Sequence, residues 1–312
     1  LSKGRITVSE TLQGHLSIAA AYIIFGLNIV ICKDIANSDA VSPMTLFTLR
    51  AIGAAALFWL LSFFLPAEKV EKGDFPKIAA ASLIGLFAPQ LTFLVAITMS
   101  SSIDTAVMGT LGPIFTMFFA YFFQKEPITG KKASGVALSF AGVLFLIFNS
   151  VHGEGTSTPL GIVLLLANCL SFSLYLGLFR PLISKYSVVT FMKWMFLFSL
   201  AASLPFSFRG LVTTDYAAIP AAARWEIGYL ILFATFFAYY LIPYGQKRLR
   251  PTLVSLYYYV QPIIAAAISI WTGMDRLTWH KLLATVLIVC GVILVNNSRA
   301  RNQSATASQP KS

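Results

Sequence analysis

The sequence predicts an all-α polytopic membrane protein, with ten transmembrane helices arranged as two inverted five-helix repeats. Three observations carry this expectation. Of the 312 residues, 57% are hydrophobic and 11% charged, with a mean hydropathy of +0.76; a soluble domain carries roughly 25% charged residues. The charges lie in short clusters between apolar runs of about 20 residues, the length a bilayer requires. Residues 103–143 also read again, without a gap, at 252–292. At an offset of 149, Pro113 falls on Pro262, Glu126 on Asp275, Thr129 on Thr278, Lys132 on Lys281, and Gly142-Val143 on Gly291-Val292. Only seven of these 41 positions are identical, so the force lies in the spacing: a mid-helix proline, an acidic turn and a late glycine recur inside two apolar hairpins. Internal repetition determines architecture, and in so apolar a chain it points to a transporter built from two related halves.

The spans follow in order. The first, His15–Cys32, is preceded by Lys3 and Arg5 and could be read as a signal peptide, but no small-residue cleavage site follows it. It matches 161–180 at offset 147 (Gly14/Gly161, Ala20/Ala167, Phe25/Phe172, Leu27/Leu174, Lys33/Arg180), which makes it a retained helix. Met44–Leu65 carries Arg50, and Ile78–Met99 carries Pro89. Thr105–Phe123 and Ala133–Phe148 form the first hairpin. Its small residues Ala133, Ala137 and Ala141, with Gly135 and Ser139, recur every four positions and let helices approach closely. Leu160–Phe179, Val188–Phe206, Ile227–Tyr244, Leu253–Trp271 and Leu282–Val295 repeat the pattern, with Pro205, Pro243 and Pro262 inside spans. Each such proline removes a backbone donor and kinks its helix. Pro113 and Pro262 are expected to act as equivalent kink or gating points. The division is residues 1–13 as an N-terminal segment, 14–148 and 160–297 as the repeats, 149–159 as an external linker and 298–312 as a disordered tail.

Charge sets the expected topology. Loops on the side of the N-terminus hold 16 of the 23 Lys and Arg, the opposite loops hold five, and Arg50 and Lys193 lie within spans. The positive-inside rule then makes both termini cytoplasmic, and explains the net charge of +11 without a nucleic-acid partner, for which no basic stripe interleaved with aromatics exists. Cys32, Cys169 and Cys290 are isolated and offer neither a disulfide pattern nor a metal spacing.

Polar groups inside membrane helices are costly and mark candidate sites. Overlaying the halves separates them from the scaffold. Asn168, Ser171 and Tyr175 share one face of the sixth span, opposite Ala21, Ile24 and Asn28 in the first. Gln90 overlays Tyr239, and Gly109 and Gly112 overlay Tyr258 and Gln261. The halves thus keep a common face but exchange small or apolar groups for hydrogen-bonding ones, as a cavity between repeats would require. Interhelical hydrogen bonding is the structural alternative. Arg50 and Lys193 lie deeper than the helix ends and would attract an anionic group such as a carboxylate, or cap carbonyls and snorkel. The expected cavity set is Asn28, Arg50, Gln90, Asn168, Tyr175, Lys193, Tyr239, Tyr258 and Gln261. Asp and Glu occur only near helix ends or in loops, which disfavours cationic substrates.

The segments Tyr22–Lys33, Ser42–Arg50, Gly112-Pro113 through Glu126 to Val143, Val254–Pro262 and Gly291–Leu294 together resemble EamA-type members of the drug/metabolite transporter superfamily, over roughly residues 15–297. Two departures stand out: Asp275 where glutamate is usual, and Phe25 where tryptophan is usual before the first-helix glycine. The resemblance implies ten helices, alternating access and movement of small metabolites across a bacterial inner membrane.

Together these readings expect a secondary transporter of small neutral, zwitterionic or anionic metabolites, amino acids and related compounds foremost, working as an exporter. A multidrug efflux carrier of the same fold and a passive channel remain the alternatives. No HExxH, GxSxG or GxxxxGK[ST] motif is present, so an enzyme or ATP-driven pump is disfavoured. No cofactor or metal is expected. The partners are the bilayer and a small-molecule substrate, in a monomer or homodimer.

Overall fold

The computed structural model describes residues 8–112, 129–151, 157–246 and 260–307, and between them 114–115, 118–119, 122, 248–249 and 257. Among the described residues the regular elements are helices, with no strand. In chain order the helices are α1 (Val8–Ser38), α2 (Pro43–Phe63), α3 (Phe75–Ser82), α4 (Ala88–Thr98), α5 (Ser102–Gly109), α6 (Gly130–Val151), α7 (Pro159–Leu178), α8 (Arg180–Lys185), α9 (Val188–Thr213), α10 (Ala221–Tyr229), α11 (Ala238–Gln246), α12 (Val260–Trp271) and α13 (Trp279–Ala307). Six helical runs are long and apolar enough to cross a membrane, and Pro159–Tyr175, Val260–Trp271 and Trp279–Val295 are shorter apolar helices. The fourth expected span is described as α5 and at scattered positions beyond it.

Local chemistry sets the helix starts. Ser42 and Ser187 accept the N–H groups of Thr45 and Thr190 and so cap α2 and α9, the helices that carry Arg50 and Lys193. One element was not legible in the sequence. Between α3 and α4, and between α10 and α11, the chain runs through π-helical turns, Leu83–Phe87 and Leu230–Phe237. At offset 149 these fall on each other. The tail also differs from expectation: α13 continues through Ala307, into the segment read as disordered. Extending an existing helix costs little compared with starting one, and Ala, Arg and Gln are good helix formers.

The halves are related by two-fold pseudosymmetry that can be read from reciprocal contacts, since a two-fold axis requires that if i meets j, j′ meets i′. A Cβ on Gly135 would strike the carbonyl of Gly291; a Cβ on Gly142, the counterpart of Gly291, would meet that of Ala284, the counterpart of Gly135, at 3.0 Å. Likewise Gly14 lies against Leu249, and Gly161 against Ser100. Gly53 lies against Ile231, and Ser199 bonds Ser82 at 2.6 Å, which places α2 on α9 at an offset of about 146. Small residues therefore occupy the closest helix crossings, where a side chain would force the backbones apart. The densest of these is the seam of α6 and α13, where the Ser139 hydroxyl donates to the carbonyl of its own counterpart, Ile288, at 3.0 Å.

Candidate functional site

Two residues that are counterparts of one another can touch only near the axis relating the halves. Gln90 and Tyr239 do so: Gln90 Nε2 donates to the Tyr239 hydroxyl at 3.0 Å. This pair therefore lies near the axis, as Ser139 and Ile288 do. The two π-helical turns precede it on both sides, and such turns are frequent at functional sites. The ring of Tyr239 meets Phe25 of α1 and Phe196 of α9 edge-on, with centroids 6.2 and 5.7 Å apart.

One turn before Tyr239 lies Thr235, and here the second group converges. Arg50, only 2% exposed, donates from Nε to Thr235 Oγ1 at 2.9 Å and from Nη1 to Cys32 Sγ at 3.8 Å. The Thr235 hydroxyl in turn donates to the Leu230 carbonyl inside the π-helical turn, at 2.7 Å. The Cys32 thiol is directed to Asn28 Oδ1 at 3.7 Å. Among the described residues no carboxylate lies within ion-pair distance of Arg50. Its Nη2 makes no hydrogen bond to them, yet is not among the sealed, unpartnered atoms such as Trp59 Nε1. A buried guanidinium without a counter-charge is costly, which sets Arg50 apart from the other described groups near the Gln90–Tyr239 pair.

The polar face of the sixth span is used differently. Asn168 Nδ2 donates to the Pro89 carbonyl at 2.6 Å and Ser171 Oγ to the Ile84 carbonyl at 2.7 Å. Tyr175 packs its ring on Gly85 and its hydroxyl on Met195 Sδ at 3.7 Å. All three grip the third span around its π-helical turn and proline, where freed carbonyls need partners in the absence of water. Asn168 still adjoins the central pair, since Pro89 directly precedes Gln90. Gln261 is half-buried; its amide nitrogen faces Gly109 and its carbonyl faces Gly26. Pro262 lies in α12, whose described residues begin at Val260. Tyr258 and Pro113 lie outside the described residues, as does Glu126.

Lys193 is not brought to this group. Its ammonium lies over the Trp59 ring, 4.8 Å from the centroid, and lines a cavity of about 30 Å³ with Ser62, Glu68, Ser187 and Thr190. The reason is register: the α2/α9 offset places residue 196, not 193, opposite Arg50, so Lys193 sits one turn nearer its helix end. Sequence reasoning also missed Cys32 and Thr235. The only available signal was their spacing, Thr235 four residues before Tyr239 and Cys32 four after Asn28, which keeps each on the face of its neighbour.

Residues 12–148 and 159–297 each match the model of the EamA-like transporter family. The chain is 27% identical to the uncharacterized inner membrane transporter YedA of Escherichia coli (strain K12), over 88% of each chain. It is 24% identical to the uncharacterized transporter YetK of Bacillus subtilis, over 85% of this chain and 81% of that one. With the uncharacterized inner membrane transporter YicL of Salmonella typhimurium it shares 23% identity, over 96% and 100%. A solved crystal structure superposes with a TM-score of 0.62 at 17% identity, covering 94% of this chain and 97% of that one, a likeness of fold.

Proposed function

Because the chain belongs to the EamA-like transporter family, we propose that it is a secondary carrier, working by alternating access in a bacterial inner membrane, that exports small metabolites bearing a carboxylate, amino acids and related compounds first. The termini lie in the cytoplasm on this reading, as the distribution of Lys and Arg favours.

The observation that carries the substrate class is Arg50: a buried cation, 2% exposed, with no carboxylate partner among the described residues. Such a group favours a ligand that brings the missing negative charge, and a guanidinium fork matches a carboxylate in geometry. The Gln90–Tyr239 pair on the axis offers an amide and a phenol to the polar remainder of the ligand, with the Phe25 and Phe196 rings for its apolar part. A permanently cationic drug would meet repulsion at Arg50, which weighs against the multidrug alternative.

The test is a thermal-shift screen of the purified protein against amino acids, organic acids, nucleosides and sugars, since a ligand that binds only the folded state raises its apparent stability. Carboxylates are expected to stabilise and neutral sugars to be inert. With a hit in hand, Arg50→Gln and Gln261→Ala should each weaken binding while the ligand-free melting temperature holds. Unchanged affinity in both would remove the site.

A further inference from the structure

At the end of the bundle opposite the N-terminus, the tip joining α4 to α5 is gripped from outside its own hairpin. Asp275 is 7% exposed; it accepts from the Ile103 N–H on Oδ2 at 3.2 Å and from Lys281 Nζ on Oδ1. Lys281, 4% exposed, reaches on to Ser101 Oγ at 3.1 Å. Lys33, from the end of α1, donates to the Ile97 carbonyl in the last turn of α4 at 3.0 Å. Ser157 holds the far side of the tip, accepting from the Ser101 N–H at 2.9 Å and donating to Asp104 Oδ2. Cys32, which touches Arg50, directly precedes Lys33 and packs in one cluster with Ile97 and Ala106, so the tip adjoins the Arg50 group.

Two features distinguish these contacts from ordinary packing. The second half holds the tip through a buried ion pair, and such pairs add little net stability over apolar packing while specifying one arrangement among several. The pair also ends on backbone and hydroxyl groups of α5's first turn, where Asp275 satisfies a helix donor that has no partner within its own helix. Contacts of this kind form or break as a unit.

We propose that the Asp275–Lys281 pair is the latch that closes this end of the substrate route, and that it releases the α4–α5 tip when the carrier opens there. The inference rests on the carrier reading but on no particular substrate. In this structure the latch is engaged.

Cys32 is a native reporter: it is 1% exposed, beneath the tip. With Cys169 and Cys290 changed to Ser, the full chain is placed in vesicles of known orientation, and the rate of Cys32 modification by a membrane-impermeant maleimide is measured from each face. Lys281→Met is expected to raise the rate roughly tenfold, only from the face opposite the N-terminus. The exchange of Asp275→Lys with Lys281→Asp restores an opposite-charge pair, yet a lysine at 275 cannot accept from the Ile103 N–H. It should recover the melting temperature lost in Lys281→Met and still label fast. If the exchange labels as slowly as the parent, the pair is structural and the proposal fails. Should Lys281→Met not reach the membrane, Asp275→Asn removes the charge of the pair while keeping an acceptor for the Ile103 N–H: a rise of about threefold supports the latch, and an unchanged rate overturns it. Labelling needs no substrate, so a failed ligand screen and a failed latch are separable.

Discussion

Replacing Arg50 by methionine should leave the protein at least as stable and unable to hold its ligand. The side chain to be removed is charged, 2% exposed and without an acidic partner among the described residues. Exchanging buried charges for apolar groups of similar volume is often neutral or stabilising, by about 1–4 kcal/mol. Against this stands the loss of one good hydrogen bond, to Thr235 at 2.9 Å, and a weaker one to Cys32. Interhelical hydrogen bonds in membranes average about 0.6 kcal/mol. Neither partner is stranded, because Thr235 keeps the Leu230 carbonyl and Cys32 keeps Asn28. The balance runs from about zero to about 3 kcal/mol in favour of the variant. Binding moves the other way: a desolvated charge-assisted contact is worth about 2–5 kcal/mol, roughly thirtyfold or more in Kd. Tryptophan-fluorescence melts in lipid nanodiscs, with and without the carboxylate identified by screening, read both quantities. Arg50→Lys keeps the charge, loses the fork and should fall between. A loss of stability above about 2 kcal/mol in Arg50→Met, with ligand affinity retained, would make Arg50 a structural residue and refute the assignment.

Two further outcomes follow from the packing and the loops. Gly291→Leu and Gly142→Leu should each lower the melting temperature, by an amount equivalent to about 1–3 kcal/mol or more, because any Cβ there meets Ser139 and Gly135 or Ile288 and Ala284; Gly73→Leu and Gly228→Leu, which face open space, serve as neutral controls in the same melts. Asp74, in the turn before α3, is held well below the usual carboxylate range by hydrogen bonds from Lys185, Lys77 and the Tyr186 hydroxyl. A depressed carboxylate contributes stability above its unfolded pKa of about 3.9 and loses it as pH falls through the folded value. Melting temperatures of the parent and Asp74→Asn should therefore differ by a constant amount from pH 5 to 8 and draw together progressively as pH falls below about 4 toward the folded value; a gap as wide at about pH 2 as at pH 6 would contradict this.

The fold was legible because membrane helices announce themselves by length and apolarity, and because proline, glycine and acid positions survive in both halves at one spacing. The α6–α13 seam is a case in point: the glycines and Ser139 that marked a packing face are those at the closest crossing. The site was legible only in part. Comparing the halves singled out Gln90 and Tyr239, which meet, and Arg50 emerged from its depth in a span. The same comparison could not separate Asn168 and Tyr175, which support the third span, from groups facing the centre. That distinction depends on π-helical turns, which shift the register of a face by part of a turn without any compositional mark. Lys193 falls away from the Arg50 group for a related reason: the offset between the halves slips from 149 to about 146 at the second and seventh spans, which leaves the two cations about three positions, nearly one turn, apart.

On the proposed carrier reading, the central pair lets a nearly symmetric scaffold hold an asymmetric ligand. Were the halves identical, the axis would bring like to like, two glutamines or two tyrosines, with no preferred direction of hydrogen bonding. Here an amide donates to a phenol, so at this meeting of counterparts the halves differ, as they do where Ser139 meets Ile288. The cation follows the same rule: Arg50 reaches the π-helical turn of the other half, while its nearest charged analogue, Lys193, turns away to Trp59. Alternation between two faces needs the scaffold to be nearly symmetric, so that each open state is a rearranged copy of the other. Recognition needs the opposite, since a molecule with a carboxylate at one end has no two-fold axis. Unlike groups meeting at the axis, with small residues kept at the closest helix crossings of both halves, meet both demands.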